Sequence, residues 1–199
     1  MLWRMNHNDR LQQKWDARYS AVEGLPLPLE VLADNAHLLP QRGDALDLAC
    51  GLGGSALFLA ARGLRTQAWD LSAVAVAALR QRSGDLPLVA RVRDVVADPP
   101  APASFDVICV GHFLDRDLCP HIAAALRPGG LLFYQTFSRE RVDDSGPGSD
   151  GFRLARNELL SLFAGLVVRV YRDEGAVGDP GSGFRNRAQL VAERPAGQA

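Results

Sequence analysis

Lysine is nearly missing from this chain. Of its 22 basic residues only Lys14 is not arginine. No G-x-x-x-x-G-K-[ST] can therefore exist, which excludes a P-loop. A Schiff-base amine would have to be Lys14, in a polar segment that does not desolvate it. Cysteine is scarce too. Cys50, Cys109 and Cys119 form an odd set with no C-x-x-C, which reads as free thiols in a reducing compartment. The absence of H-x-x-x-H, H-E-x-x-H or a cysteine cluster argues for no metal, and the absence of G-x-S-x-G argues against a hydrolase. No apolar run approaches the roughly 18 residues of a membrane span. The opening Met-Leu-Trp-Arg-Met-Asn-His-Asn-Asp lacks the apolar core of a signal peptide, so a cytoplasmic location and no membrane partner are expected. A net charge of −1 gives no reason to expect nucleic acid.

What is present suits one globular domain over residues 1–199, with 47% hydrophobic residues and no repeat or linker. Leu11, Trp15 and Tyr19 recur at helical spacing within 8–20. A second helix is expected over 29–39, ended by Pro40. Short apolar runs at 45–49, 65–69, 87–92, 105–110 and 131–136 read as strands. They alternate with helices at 56–61, 73–82 (capped by Ser72) and 118–126. A last helix capped by Asn157 precedes strands at 166–171 and 187–192, joined by a glycine-rich turn. Arg127-Pro128-Gly129-Gly130 reads as a turn. Residues 138–155 read as a mobile loop whose Arg139, Arg141, Arg153 and Arg156 would attract an anion. Alternating strands and helices predict a parallel sheet covered on both faces, with a ligand at the carboxyl edge of the strands.

The stretch from Asp44 to Gly63 organises the chain: a buried strand, a turn carrying Gly51, Gly53 and Gly54, then a helix. Glycine lets backbone approach a ligand that a Cβ would block, and the first helical turn offers free N–H groups. Gly51-x-Gly53-x-x-Ala56 fits a dinucleotide fingerprint. Asp47-x-Ala49-x-Gly51-x-Gly53 fits an acidic-start loop for S-adenosylmethionine instead. A carboxylate behind the glycines repels a pyrophosphate and accommodates an ammonium and a sulfonium.

Four features together resemble the class I S-adenosylmethionine-dependent methyltransferases across nearly the whole chain. These are the Asp47 to Gly53 loop (with Ala49 where the family often has glycine), Asp70 ending the second strand, Asp94 after the third, and Leu126-Arg127-Pro128-Gly129-Gly130-Leu131 before the fifth. The resemblance implies a doubly wound Rossmann-like fold. Its sheet would have seven strands, mostly parallel with an antiparallel last strand. Trp15-Asp16-Ala17-Arg18-Tyr19 is similar to the closing helix of small tellurite-resistance and thiopurine-type members, so residues 1–40 would cover the cofactor.

The resemblance also implies roles. Asp70 would accept the ribose hydroxyls, each charge-assisted bond contributing roughly 1.5–3 kcal/mol. Ser72 is the better placed cap for the next helix. Asp47 would meet the ammonium or order the loop, and Ala49, Cys50, Gly51 and Gly53 would line the methionine moiety. Leu71, Asp94 and the Val95 amide would hold the adenine. Val110 and Gly111 would approach the sulfur. Trp15, Arg18 and Tyr19 would close over the cofactor. His112 and Tyr134 are the catalytic or acceptor-side candidates; His7, His37 and His121 are expected to be structural. The expected reaction is methyl transfer from S-adenosylmethionine to a small-molecule acceptor, leaving S-adenosylhomocysteine, by a monomer or homodimer. The alternatives are an NAD(P)-binding reductase, which Asp47 and the missing Tyr-x-x-x-Lys pair disfavour, and a non-catalytic nucleotide-binding regulator.

Overall fold

The computed structural model describes residues 7–22 and 24–197. The signal-peptide expectation for the first residues falls largely outside them, as does the end of the expected frayed tail. Seven strands form one sheet: β1 (Asp44–Leu48), β2 (Arg65–Asp70), β3 (Leu88–Val92), β4 (Phe105–Gly111), β5 (Leu126–Phe137), β6 (Val167–Asp173) and β7 (Arg187–Glu193). Their order is β3-β2-β1-β4-β5-β7-β6. The first five are parallel, and β7 runs antiparallel to both neighbours. The expected sheet is therefore found.

Six helices flank it: α1 (His7–Ser20), α2 (Glu30–Asp34), α3 (Gly54–Ala60), α4 (Ala73–Ser83), α5 (Cys119–Ala125) and α6 (Glu158–Leu162). Strand parity decides which face each residue serves. Leu46, Leu48, Ile108, Val110, Leu132 and Tyr134 pack with Ile122 of α5 and Leu159 of α6. Ala45, Val107, Cys109 and Phe133 pack on the other face with Val31 and Leu32 of α2 and Leu59 of α3. Both faces are dry, which fits the continuous apolar character of β4.

Several local expectations change. The helix expected over 29–39 breaks at Asn35 into α2 and a 3₁₀ turn, Ala36–Leu38. Arg127 to Gly130 is not a separate turn. It is an irregularity inside β5, whose Leu126 pairs with Phe105 and whose Leu131 pairs with Val107. Asn157 makes no side-chain cap. It stands at φ 58, and the Ala155 amide donates to Glu158 Oε2 instead.

The 138–155 segment, expected to be mobile, is tied down by Arg153, a fully buried residue. Its guanidinium donates to the carbonyls of Pro147, Ser138 and Ser145. Arg156 pairs with Glu140, and Arg139 Nε donates to the Asp150 carbonyl. Three of the four loop arginines thus serve the loop's own fold.

Candidate active site

Backbone sterics build the first part of the site. Gly53 starts α3 with φ 81, a left-handed conformation that costs an L-residue about 1 kcal/mol or more. A Cβ on Gly54 would strike the Leu27 carbonyl, because the segment between α1 and α2 crosses directly over the loop. Ala49 also stands at φ 55, which explains why glycine suits this position and alanine carries strain.

Asp47 lies beneath this loop, 3% exposed, and accepts the Ala56 amide at 2.9 Å. Burial pushes its pKa up to about 7, and the neighbouring Asp70 charge adds to the rise. Asp70 accepts the Gly51 amide at 2.7 Å through one oxygen and the Ser72 amide at 2.8 Å through the other. Its pKa is raised by burial, opposed by these amides. Each carboxylate oxygen retains a second lone pair for a further donor. Ser72 caps α4 by accepting the Ala75 amide, as expected.

Helix α1 lies across the carboxyl ends of β1, β2 and β3. Tyr19 reaches the loop: a Cβ on Gly51 would come 2.8 Å from its hydroxyl. Burial raises the Tyr19 pKa, so the phenol keeps its proton. Trp15 stacks on Tyr19 at 5.8 Å, and Arg18 lies over Trp15 at 5.6 Å. Asp16 accepts the Ser72 hydroxyl at 2.5 Å and the Val74 amide at 3.2 Å. Asn8 donates to Asp94 Oδ2 at 2.7 Å, while Asp94 Oδ1 accepts the Val96 and Ala97 amides. The sequence motif pointed to Trp15, Arg18 and Tyr19. Asp16 makes the latch and was not singled out.

Cys50 donates its amide to the Trp69 carbonyl, and burial pushes its thiol well up, so it is not a poised nucleophile. Leu71 is half-buried beside Asp70, while the Val95 side chain joins the core. Val110 faces the core with no exposure; Gly111 lies at the edge, where a Cβ would meet Leu29 at 2.6 Å.

The two catalytic candidates separate. Tyr134 is a correction. It is wholly buried, its hydroxyl donates to the Phe113 carbonyl at 2.8 Å, and its ring packs on Phe163. Strand parity turns it away from the edge. His112 follows Gly111 with φ 53, exposed and tilted 5.1 Å from Phe137. Burial of its inner side lowers its pKa, and Arg187 pushes the same way, so neutral imidazole prevails at pH 7. Beside it, Gln135 accepts the Val31 amide and a Gln189 N–H, and donates to Glu30 Oε2. Glu30 pairs with Arg187 at 2.8 Å. Glu30, Gln135 and Arg187 were missed. The available signal was antiparallel β7, which returns its first residues to the carboxyl edge.

Two concavities of about 230 and 390 Å³ lie away from this edge. The first adjoins Arg42 and Pro128, the second Asp44 and Arg93, and neither is lined by a candidate residue. No metal-binding group of three or more His, Cys, Asp or Glu is found among the described residues.

Residues 45–130 match the family described as methyltransferase domain. The fold is that of the S-adenosylmethionine-dependent methyltransferases. One similar structure concerns the conversion of a disulfide bond into a thioacetal group during echinomycin biosynthesis. It is 20% identical with a TM-score of 0.69, over 95% of this chain and 94% of that one. Geranyl diphosphate C-methyltransferase from Streptomyces coelicolor A3(2) is 17% identical with a TM-score of 0.68, over 96% of this chain and 99% of the other. TehB from Haemophilus influenzae is 22% identical with a TM-score of 0.66, over 92% of this chain and 66% of TehB. No curated protein matches by sequence. The matched segment runs from β1 into β5, and the surrounding sheet completes the same fold. Among the described residues, no helix is long and apolar enough to cross a membrane.

Proposed function

We propose that this protein transfers a methyl group from S-adenosylmethionine to a small-molecule acceptor, within one domain spanning the chain. The observation that carries the reading is the pair of buried acids at the glycine loop. Asp47 lies under the loop and Asp70 holds the Gly51 amide. Of the two, Asp47 beneath the loop repels a pyrophosphate, which disfavours the reductase alternative. Together the two acids suit the ammonium and ribose of S-adenosylmethionine.

When bound, the cofactor supplies an electrophilic methyl on a sulfonium that departs as a neutral thioether. The protein supplies placement and dryness. Asp70 accepts the ribose hydroxyls with its unused lone pairs. Asp94 would accept the adenine amino group, with Leu71 beside the ring. Tyr19, backed by Trp15, covers the loop, and Leu29 packs over Gly111 at the end of β4. His112, neutral at pH 7, is positioned to take a proton from the acceptor.

Of the similar structures, one is named for a C-methylation of geranyl diphosphate and another for a sulfur-centred conversion, both small-molecule chemistry. The net charge of −1 and the three free cysteines support a cytoplasmic enzyme without a nucleic-acid partner, working as a monomer or homodimer. Turnover separates an enzyme from a non-catalytic binder. In Asp70→Ala, calorimetry should show loss of most S-adenosylmethionine affinity, about a hundredfold or more for two lost charge-assisted bonds. Unchanged affinity removes Asp70 from the site.

A further inference from the structure

We infer that the methyl acceptor carries an anionic group, held by the Arg187 guanidinium next to the imidazole of His112. The inference rests on the methyltransferase reading above and adds the acceptor's chemical class.

Arg187 opens β7, and the antiparallel register sets it opposite Phe137 at the carboxyl end of β5. Its side chain is 27% exposed, so it is reachable from solvent yet partly desolvated. It is braced at 4.8 Å over the Phe184 ring, which is itself nearly buried. One nitrogen pairs with Glu30 Oε2, the same oxygen that Gln135 Nε2 approaches at 3.3 Å. Gln135 is 1% exposed and is fixed by the Val31 amide and Gln189. The sheet therefore pins Glu30, and Glu30 pins Arg187. A guanidinium has five N–H donors in a fixed fork, so this pairing leaves donors for a bidentate anion.

The charges around His112 favour the same class. Arg187 from β7 and Arg18 from α1 act on it as cations, and Glu30 from α2 as the one anion. The β5 neighbours, Phe137 and Gln135, are uncharged. The field is net positive. No hydrogen bond engages the His112 ring among the described residues, so its nitrogens are available to the acceptor. Of the loop arginines first expected to attract an anion, Arg139, Arg153 and Arg156 are turned inward or paired, as described above. Arg187 is the cation built into the edge.

The step balances simply. The acceptor's nucleophilic atom forms a bond to the methyl carbon while the S–CH₃ electron pair returns to sulfur. The acceptor proton passes to a His112 ring nitrogen. Arg187 holds the separate anionic group and stays charged throughout.

The test follows the His112 ring signals by NMR in protein saturated with S-adenosylhomocysteine, during titration with benzoate or with benzamide, its neutral isostere. His112→Gln assigns the signals. Benzoate should shift them saturably and raise the His112 pKa, while benzamide should not. Arg187→Gln should weaken benzoate by about tenfold or more, and Arg187→Lys should retain part of the affinity. Circular dichroism matching the wild type shows that the variants fold, and the wild-type comparison stands without them. Equal shifts from benzamide, no shift from benzoate, or undiminished benzoate binding in Arg187→Gln overturns the inference. Failure of S-adenosylhomocysteine to bind is a separate result that overturns the methyltransferase reading beneath it.

Discussion

Single residues set the site's electrostatics. Asp47 illustrates the sign. Burial raises its pKa from 3.8 to about 7, so the folded chain binds a proton that the unfolded chain has released between those values. The stabilising contribution of this group is full below pH 4 and is lost as the pH rises through about 7. Asp47→Asn removes that loss. At pH 8 the variant should be more stable than the wild type by on the order of 4 kcal/mol, with no difference at pH 4. Thermal unfolding at the two pH values measures it, and equal curves at pH 8 contradict the assignment. His112 has the opposite chemistry. Its lowered pKa keeps the ring neutral at pH 7, so kcat/KM for an acceptor that must lose a proton should rise below pH 6.5 and level off above. The His112→Gln variant should lose that acidic limb. A profile unchanged by the substitution removes His112 as base. Arg153 acts on stability alone. Arg153→Met strips three carbonyls of a buried donor and should lower Tm by roughly 5–10 °C. A shift under about 2 °C shows that the loop stands without it.

At the scale of elements, α1 connects the sequence motif to the cofactor crevice. Its hold includes two polar latches, Asn8 on Asp94 and Asp16 on Ser72 and Val74, and the Tyr19 ring on Gly51. A cap-type bond contributes about 1 kcal/mol. Asp16→Ala should therefore speed amide exchange across residues 8–20 and weaken S-adenosylmethionine by up to about tenfold. Exchange identical to the wild type shows that the latch does not hold the helix. The helix was legible in the spacing of Leu11, Trp15 and Tyr19. Its docking was not, because Asn8 and Asp94 lie 86 positions apart and no periodicity links them. The strands were legible as apolar runs between turn residues. Tyr134 shows the remaining gap: a strand's position follows from composition, but the face each residue takes depends on a register fixed by partner strands. Arg187 was within reach of the same logic. An antiparallel last strand must begin where its parallel neighbour ends.

For the whole molecule, the strand order brings the segments that follow β1, β2 and β3 together at one edge of the sheet. The glycine loop made that edge readable in advance. The acceptor side was less readable because it is assembled from α2, the end of β4, β5 and β7, elements distant in sequence that carry no shared motif. The measurement that tests the central claim most directly is calorimetry of the purified protein against S-adenosylmethionine, S-adenosylhomocysteine and NADH. The acid-lined loop predicts micromolar binding of the first two and none of the third. Binding of NADH alone contradicts the account, because a pyrophosphate would then be seated against the acid beneath the loop, Asp47.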